Sequence, residues 1–200
     1  VAMRTEITKL HQRLQTTFIY VTHDQVEAMT MGSRIVVMKD GFVQQIDAPT
    51  VLYDTPCNLF VATFMGSPQM NTFEGTLVEE GGTTYLQVGS TKLALPDSKG
   101  RKPEVMAYIG KEVIAGIRPE SIHDEEVFIS QFPNALGDAD VSVVEPMGAE
   151  TYLYLVFEGI NLTARVSPRA HTKADDRMKV AFDMNKIHLF DKDTERTICN

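Results

Sequence analysis

Beyond Gly66 the chain is punctuated by turn residues: Gly81-Gly82, Gly89, Pro96, Gly100, Gly110 and Gly116 separate short apolar runs such as FEGTLVEE, TYLQVG and KLALP. Runs of this length between glycines cannot build long helices, and they predict an all-β barrel or sandwich. Further runs fit the same pattern, among them EVIAGI, DADVSVVEPMG, ETYLYLVFEG, INLTARV and NKIHLF. The boundary of this region is expected near Gly66, in the stretch MGSPQMN.

The first 65 residues read differently. Met3, Ile7, Leu10 and Leu14 recur at helical spacing and predict a helix. TTFIYV, rich in β-branched and aromatic residues, predicts a buried strand, and a helix is expected to open at Thr22 to Asp24. In RIVVMKDGFVQQI, Asp40-Gly41 supplies hairpin turn chemistry between two apolar runs. Two short helices are expected around Thr50 to Tyr53 and Asn58 to Met65, set off by Pro49 and Pro56. The expected fold class is therefore α+β, with an α/β region over 1–65 and an all-β region over 66–200.

Charge narrows the function. The formal net charge is -8, with 5 Lys/Arg against 6 Asp/Glu up to Met65 and 14 against 21 afterwards. An acidic barrel argues against RNA or DNA, whose phosphates need a basic stripe. No apolar run reaches the roughly 20 residues that cross a bilayer, and no signal-peptide layout is present, so a cytosolic protein is expected. Cys57 and Cys199 lie far apart without a CxxC and are expected to be free thiols. The sequon Asn161-Leu162-Thr163 reads as ordinary strand sequence in that setting.

Thr22-His23-Asp24-Gln25 has the form of a capping box, with Thr22 as the cap and His23 in the first turn. Unpaired N–H groups and the positive end of the helix dipole suit an anion there, and a histidine could donate to a phosphate. A histidine that only caps or packs fits the local pattern as well.

The longer context resembles the C-terminal part of the ATP-binding subunit of ABC importers for maltose, glycerol phosphate and related sugars. The resemblance is carried by TFIYVTHDQVEAMTMGSRIVVMKDGFVQQIDAPTVLYDTP and NLFVATFMGSPQMN, and then by GIRPESI, VVEPMGAETYLY, ARVSPR and KVAFDMNKIHLFD. It implies a partial RecA-like ATPase subdomain over 1–65 and an OB-like (TOBE/MOP-type) regulatory domain over 66–200. In that family the switch histidine, here His23, contacts the γ-phosphate of ATP. The resemblance also implies ATP and Mg2+ in the full-length subunit, a second ATPase subunit as homodimer partner, membrane permease subunits, a regulatory protein docking on the barrels, and a place on the cytoplasmic face of the membrane.

The sequence contains no G-x-x-x-x-G-K-[ST], no LSGGQ-like signature and no apolar strand ending in Asp-Glu. One imidazole cannot replace the positioning and charge stabilisation those parts supply, so these 200 residues by themselves are expected to be inactive, serving regulation or dimerisation. A stand-alone OB-like module holding an oxyanion or a saccharide, or a dimerisation scaffold, is the alternative. The acidic runs Asp124-Glu125-Glu126 and Asp175-Asp176 read as solvated faces, and His171 and His188, 17 residues apart, are assigned no metal. No G-x-S-x-G or Cys–His pairing suggests a nucleophile. Arg118-Pro119-Glu120 has two readings: the resemblance implies a segment where the two subunits of the dimer meet or a regulatory protein docks, and the residues alone fit a strand ended by Pro119 with a surface ion pair.

Overall fold

A computed structural model describes residues 2–169 and 172–200. Helix α1 spans Ala2–Leu14, and α2, Gln25–Met31, follows an irregular stretch. Strands β1, Ile35–Lys39, and β2, Phe42–Asp47, form an antiparallel hairpin. Its turn residues Asp40 and Gly41 both take positive φ, 52° and 82°, as a two-residue turn matched to strand twist requires. Helices α3, Pro49–Asp54, and α4, Leu59–Phe64, complete this part. Pro49 starts α3 and the Asn58 side chain caps α4 by accepting from the Val61 amide.

The rest is antiparallel β structure. Strands β3 (Asn71–Glu80), β4 (Thr83–Val88), β5 (Thr91–Ala94) and β6 (Glu112–Ile117) are followed by the two-residue β7 (Ile122–His123). Then come β8 (Leu136–Pro146), β9 (Thr151–Phe157), β10 (Ile160–Val166), β11 (Arg177–Phe182), β12 (His188–Asp191) and β13 (Thr197–Cys199). One sheet has the order β13-β12-β6-β3-β4-β5 and the other β10-β9-β8-β11-β7. Short helices Asp97–Gly100, Pro103–Met106 and Glu126–Gln131 bridge strands.

Period-two burial explains why the sheets face each other. In β9 Leu153, Leu155 and Phe157 point inward, in β4 Leu86 and Val88 do, and all join one core with Leu77, Val113, Leu162 and Phe182. Gly137 lets Phe157 and Phe182 meet: a Cβ there would lie 2.5 Å from the Phe157 ring. Asn71 also ties the sheets, its side chain donating to the Thr163 carbonyl at 2.8 Å and accepting from the Thr163 amide at 2.7 Å.

Helix α4 belongs to two cores. Val61 and Met65 close a small cluster with Val37 and Leu52, whereas Ala62 packs with Met70 and Phe190 on the first sheet. The N-terminal elements are less well covered: Met3, Leu14, Ile19, Val21 and Phe42 are exposed, Val21 at 91%. The strand expected for TTFIYV does not form; residues 15–22 are irregular and exposed except for the half-buried Thr22. A buried strand needs ladder partners on both edges, and the hairpin β1–β2 pairs only with itself.

Candidate functional site

His23 lies in the bend that leads into α2, and its imidazole is exposed. The cap is not the one expected. Asp24, not Thr22, caps α2, its carboxylate accepting from the amides of Val26 at 2.8 Å and Glu27 at 3.1 Å. Thr22 instead accepts from the Asp24 amide at 3.0 Å and donates to Glu27 at 2.7 Å. A carboxylate is the stronger acceptor for helix N–H groups, so it displaces the hydroxyl from that role and moves His23 one position outside the helix. The first amides of α2 are therefore already satisfied by a negative group, and an anion arriving here would meet the imidazole rather than the helix end.

Gln25 does not reach back to the cap either. Its carboxamide donates to the Phe64 carbonyl and accepts from the Gly66 amide at 2.9 Å. Met65, between them, offers its carbonyl to Arg118 Nη1 at 2.7 Å, and Arg118 Nη2 donates to the Tyr53 carbonyl at 2.6 Å. The guanidinium also lies over the Tyr53 ring, 3.6 Å from its centroid. Arg118 is only 4% exposed, and burial lowers its pKa, although a guanidinium stays charged. Its Nε has no partner among the described residues. Gly66 is where this approach becomes possible: φ is +117°, and a Cβ would stand 2.9 Å from Arg118 Nη1.

Glu120 does not pair with Arg118 on the surface. It accepts from the Tyr53 hydroxyl and faces Arg165 at 3.7 Å, and Arg165 in turn reaches Glu150 at 3.5 Å. Burial, helped by the bond to Glu120, pushes the Tyr53 hydroxyl up to about 12. Arg118-Pro119-Glu120 thus forms an interface inside the chain, joining the region of α3 and α4 to the sheets.

A second junction uses the C-terminal strand. Asn200 Oδ1 lies 2.8 Å from His188 Nδ1, and Asn200 Nδ2 donates to the Pro56 carbonyl at 3.2 Å, which also accepts from Thr197 at 2.7 Å. Burial pushes the His188 imidazole down to about 4 and the nearby Lys99 amine down to about 8. Lys99 donates to the Ile187 carbonyl at 2.7 Å, and Cys199 is buried and free.

Among the described residues no group of three or more His, Cys, Asp or Glu side chains could hold a metal, and His171 lies outside them. Asp124 is half-buried rather than fully solvated, and burial raises its pKa. In a cleft of about 390 Å³ beside Tyr108, Glu112 and Asp191, Asp191 accepts from Tyr108 at 2.7 Å and Lys192 bridges Glu74 and Glu112. No described helix is long and apolar enough to cross a membrane. The sequence carried no mark of the Gln25 tie or of the C-terminal junction, because both end on backbone groups distant in sequence.

Two segments of the β region match domain families that define the class: residues 66–122 match the MalK OB fold domain and residues 138–189 the TOBE domain. The chain belongs to the ABC transporter ATP-binding proteins, as similarity along its whole length shows. It is 49% identical to the oligosaccharides import ATP-binding protein MsmX of Bacillus subtilis, covering 98% of this chain and 52% of MsmX. It is 44% identical to a putative uncharacterized ABC transporter ATP-binding protein, YcjV, of Escherichia coli K12, over 99% of this chain and 52% of YcjV. It is 42% identical to the osmoprotective compounds uptake ATP-binding protein GgtA of Synechocystis, over 99% of this chain and 53% of GgtA. The chain spans about half the length of these relatives.

Proposed function

We propose that this chain is part of the ATP-hydrolysing subunit of an importer for oligosaccharides or related solutes. The observation that carries the reading is the 49% identity to an oligosaccharide-import ATP-binding protein across 98% of the chain. Residues 1–65 then belong to the nucleotide-binding domain and residues 66–200 to an OB-like regulatory domain. Two such subunits work beneath permease subunits at the cytoplasmic face of the membrane. The paired sheets contribute dimer contacts or a dock for a regulatory protein, and solute choice rests with the permease side.

His23 is the chemical residue of this reading. An exposed imidazole preceding a capped helix can donate to the terminal phosphate of ATP and orient the attacking water. The rest of the nucleotide and Mg2+ do not fit here, because the described residues offer no phosphate-cradling loop and no oxygen-rich metal cluster. The chain by itself is therefore expected to give no heat when titrated with Mg-ATP; saturable binding would overturn its incompleteness. In a subunit that also carries the phosphate loop, His23→Ala should cut turnover by about 10²-fold or more while ATP still binds. Unchanged turnover removes His23 from the chemistry.

A further inference from the structure

The geometry points to Gln25 and Arg118 as positioning residues that hold the His23 loop in fixed relation to the paired sheets, through the backbone of residues 64–66. Three successive residues of that segment are gripped alternately. The Phe64 carbonyl accepts from Gln25, the Met65 carbonyl accepts from Arg118 at 2.7 Å, and the Gly66 amide donates back to Gln25 at 2.9 Å. One grip comes from the helix that follows His23 and the other from the residue just past β6 of the first sheet.

The two grips are coupled because they hold one short stretch of backbone. Hydrogen bonds weaken steeply when stretched or bent, so moving Arg118 must either drag Met65, and with it both partners of Gln25, or break the bond. Helix α2 fully buries no residue and packs on the small core through the half-buried Met29, so the Gln25 carboxamide is its polar tie to residues 64–66. On the other side, Arg118 stacks on Tyr53, Tyr53 binds Glu120, and Glu120 faces Arg165 on β10 of the second sheet. A shift of either sheet therefore reaches the His23 loop through bonded groups. The lack of a Cβ at Gly66 is what lets the guanidinium close on this segment.

The consequence for turnover rests on the phosphate role of His23 proposed above, so the test separates the two. Hydrogen exchange on the 200-residue chain reads the link without any ATP chemistry. Arg118→Lys keeps the charge and loses the fork, and it should speed exchange of the peptide covering residues 22–32 by tenfold or more. Gln25→Ala, at a half-buried position that folds more safely, should do the same and also speed exchange at Gly66. Wild-type exchange over 22–32 in both variants, with loosening confined to 53–66, overturns the link.

In a subunit that also carries the phosphate loop, each variant should lower kcat several-fold with KM for ATP unchanged. The double variant should lose no more than the worse single one, because both act on one segment. Additive losses, or a change confined to KM, overturn the positioning role. His23→Ala in the same assay tests the phosphate reading alone: if it leaves turnover intact that reading falls, while the exchange result still decides the link.

Discussion

His188 is buried as a neutral imidazole against Asn200, and that couples folding to pH with a definite sign. Its pKa is about 4 in the folded chain against an ordinary value of 6.5. Between those values the unfolded chain binds a proton that the folded chain refuses, so stability falls as pH drops from 6.5 toward 4 and is unaffected above 6.5. Over that window the loss is about 3 kcal/mol. Urea unfolding at pH 7 and pH 4.5 should show the drop shrinking by roughly 2 kcal/mol in His188→Gln, since carboxylate contributions such as Glu158 are common to both proteins. An equal drop in the two would mean that His188 does not titrate as its burial requires. Gly66 makes a second residue-scale case. Gly66→Ala forces a Cβ to 2.9 Å from the Arg118 guanidinium at a φ of +117°, and thermal unfolding should report a loss of about 1–3 kcal/mol.

At the scale of elements, Asn71 is the side chain that stitches β3 to β10, and Asn71→Ala leaves the Thr163 amide without that acceptor. The unfolding free energy from denaturant titration should fall by about 1–3 kcal/mol, and Asn71→Asp, which keeps the acceptor but turns a carboxylate oxygen toward the Thr163 and Ile117 carbonyls, should not restore it. The elements differed in how much of them could be read beforehand. Alternation in TYLQVG and INLTARV, and the Asp40-Gly41 turn, are local signals, and β4, β10 and the β1–β2 hairpin formed where those signals lay. TTFIYV carried an equally strong local signal and failed, because a strand exists only with a neighbour and no described segment pairs with it. The capping box failed for a local reason: Asp24 competes with Thr22 for the same amides and wins. The family resemblance singled out His23 as a candidate, and the sequence singled out Arg118-Pro119-Glu120, but not what Arg118 binds. Its partners are carbonyls of Tyr53 and Met65, and backbone acceptors leave no trace in sequence.

For the molecule as a whole, apolar exposure is distributed very unevenly. Ile19 is 88% exposed and Phe42 74%, and Met3, Leu14, Phe18, Val36, Met38, Val43 and Ile46 join them, all before residue 48. Past residue 70 exposed large apolar side chains are few and scattered, Val127, Val143 and Met147 among them, while the shared core takes in Phe157, Phe182 and Leu189. Exposed apolar side chains concentrated in one part of the chain are costly in water and are covered when a complementary surface is available. A second copy of the chain supplies one, since each copy carries the same side chains and the same unpaired hairpin edges. Light scattering should therefore show the mean mass rising with concentration above that of a 22.3 kDa monomer. Ile19→Lys with Phe42→Lys should return the mass to monomer, whereas Val127→Lys, on the sheet side, should leave the association unchanged. A monomeric mass at millimolar concentration, or rescue by Val127→Lys alone, would show that the N-terminal surface does not drive association.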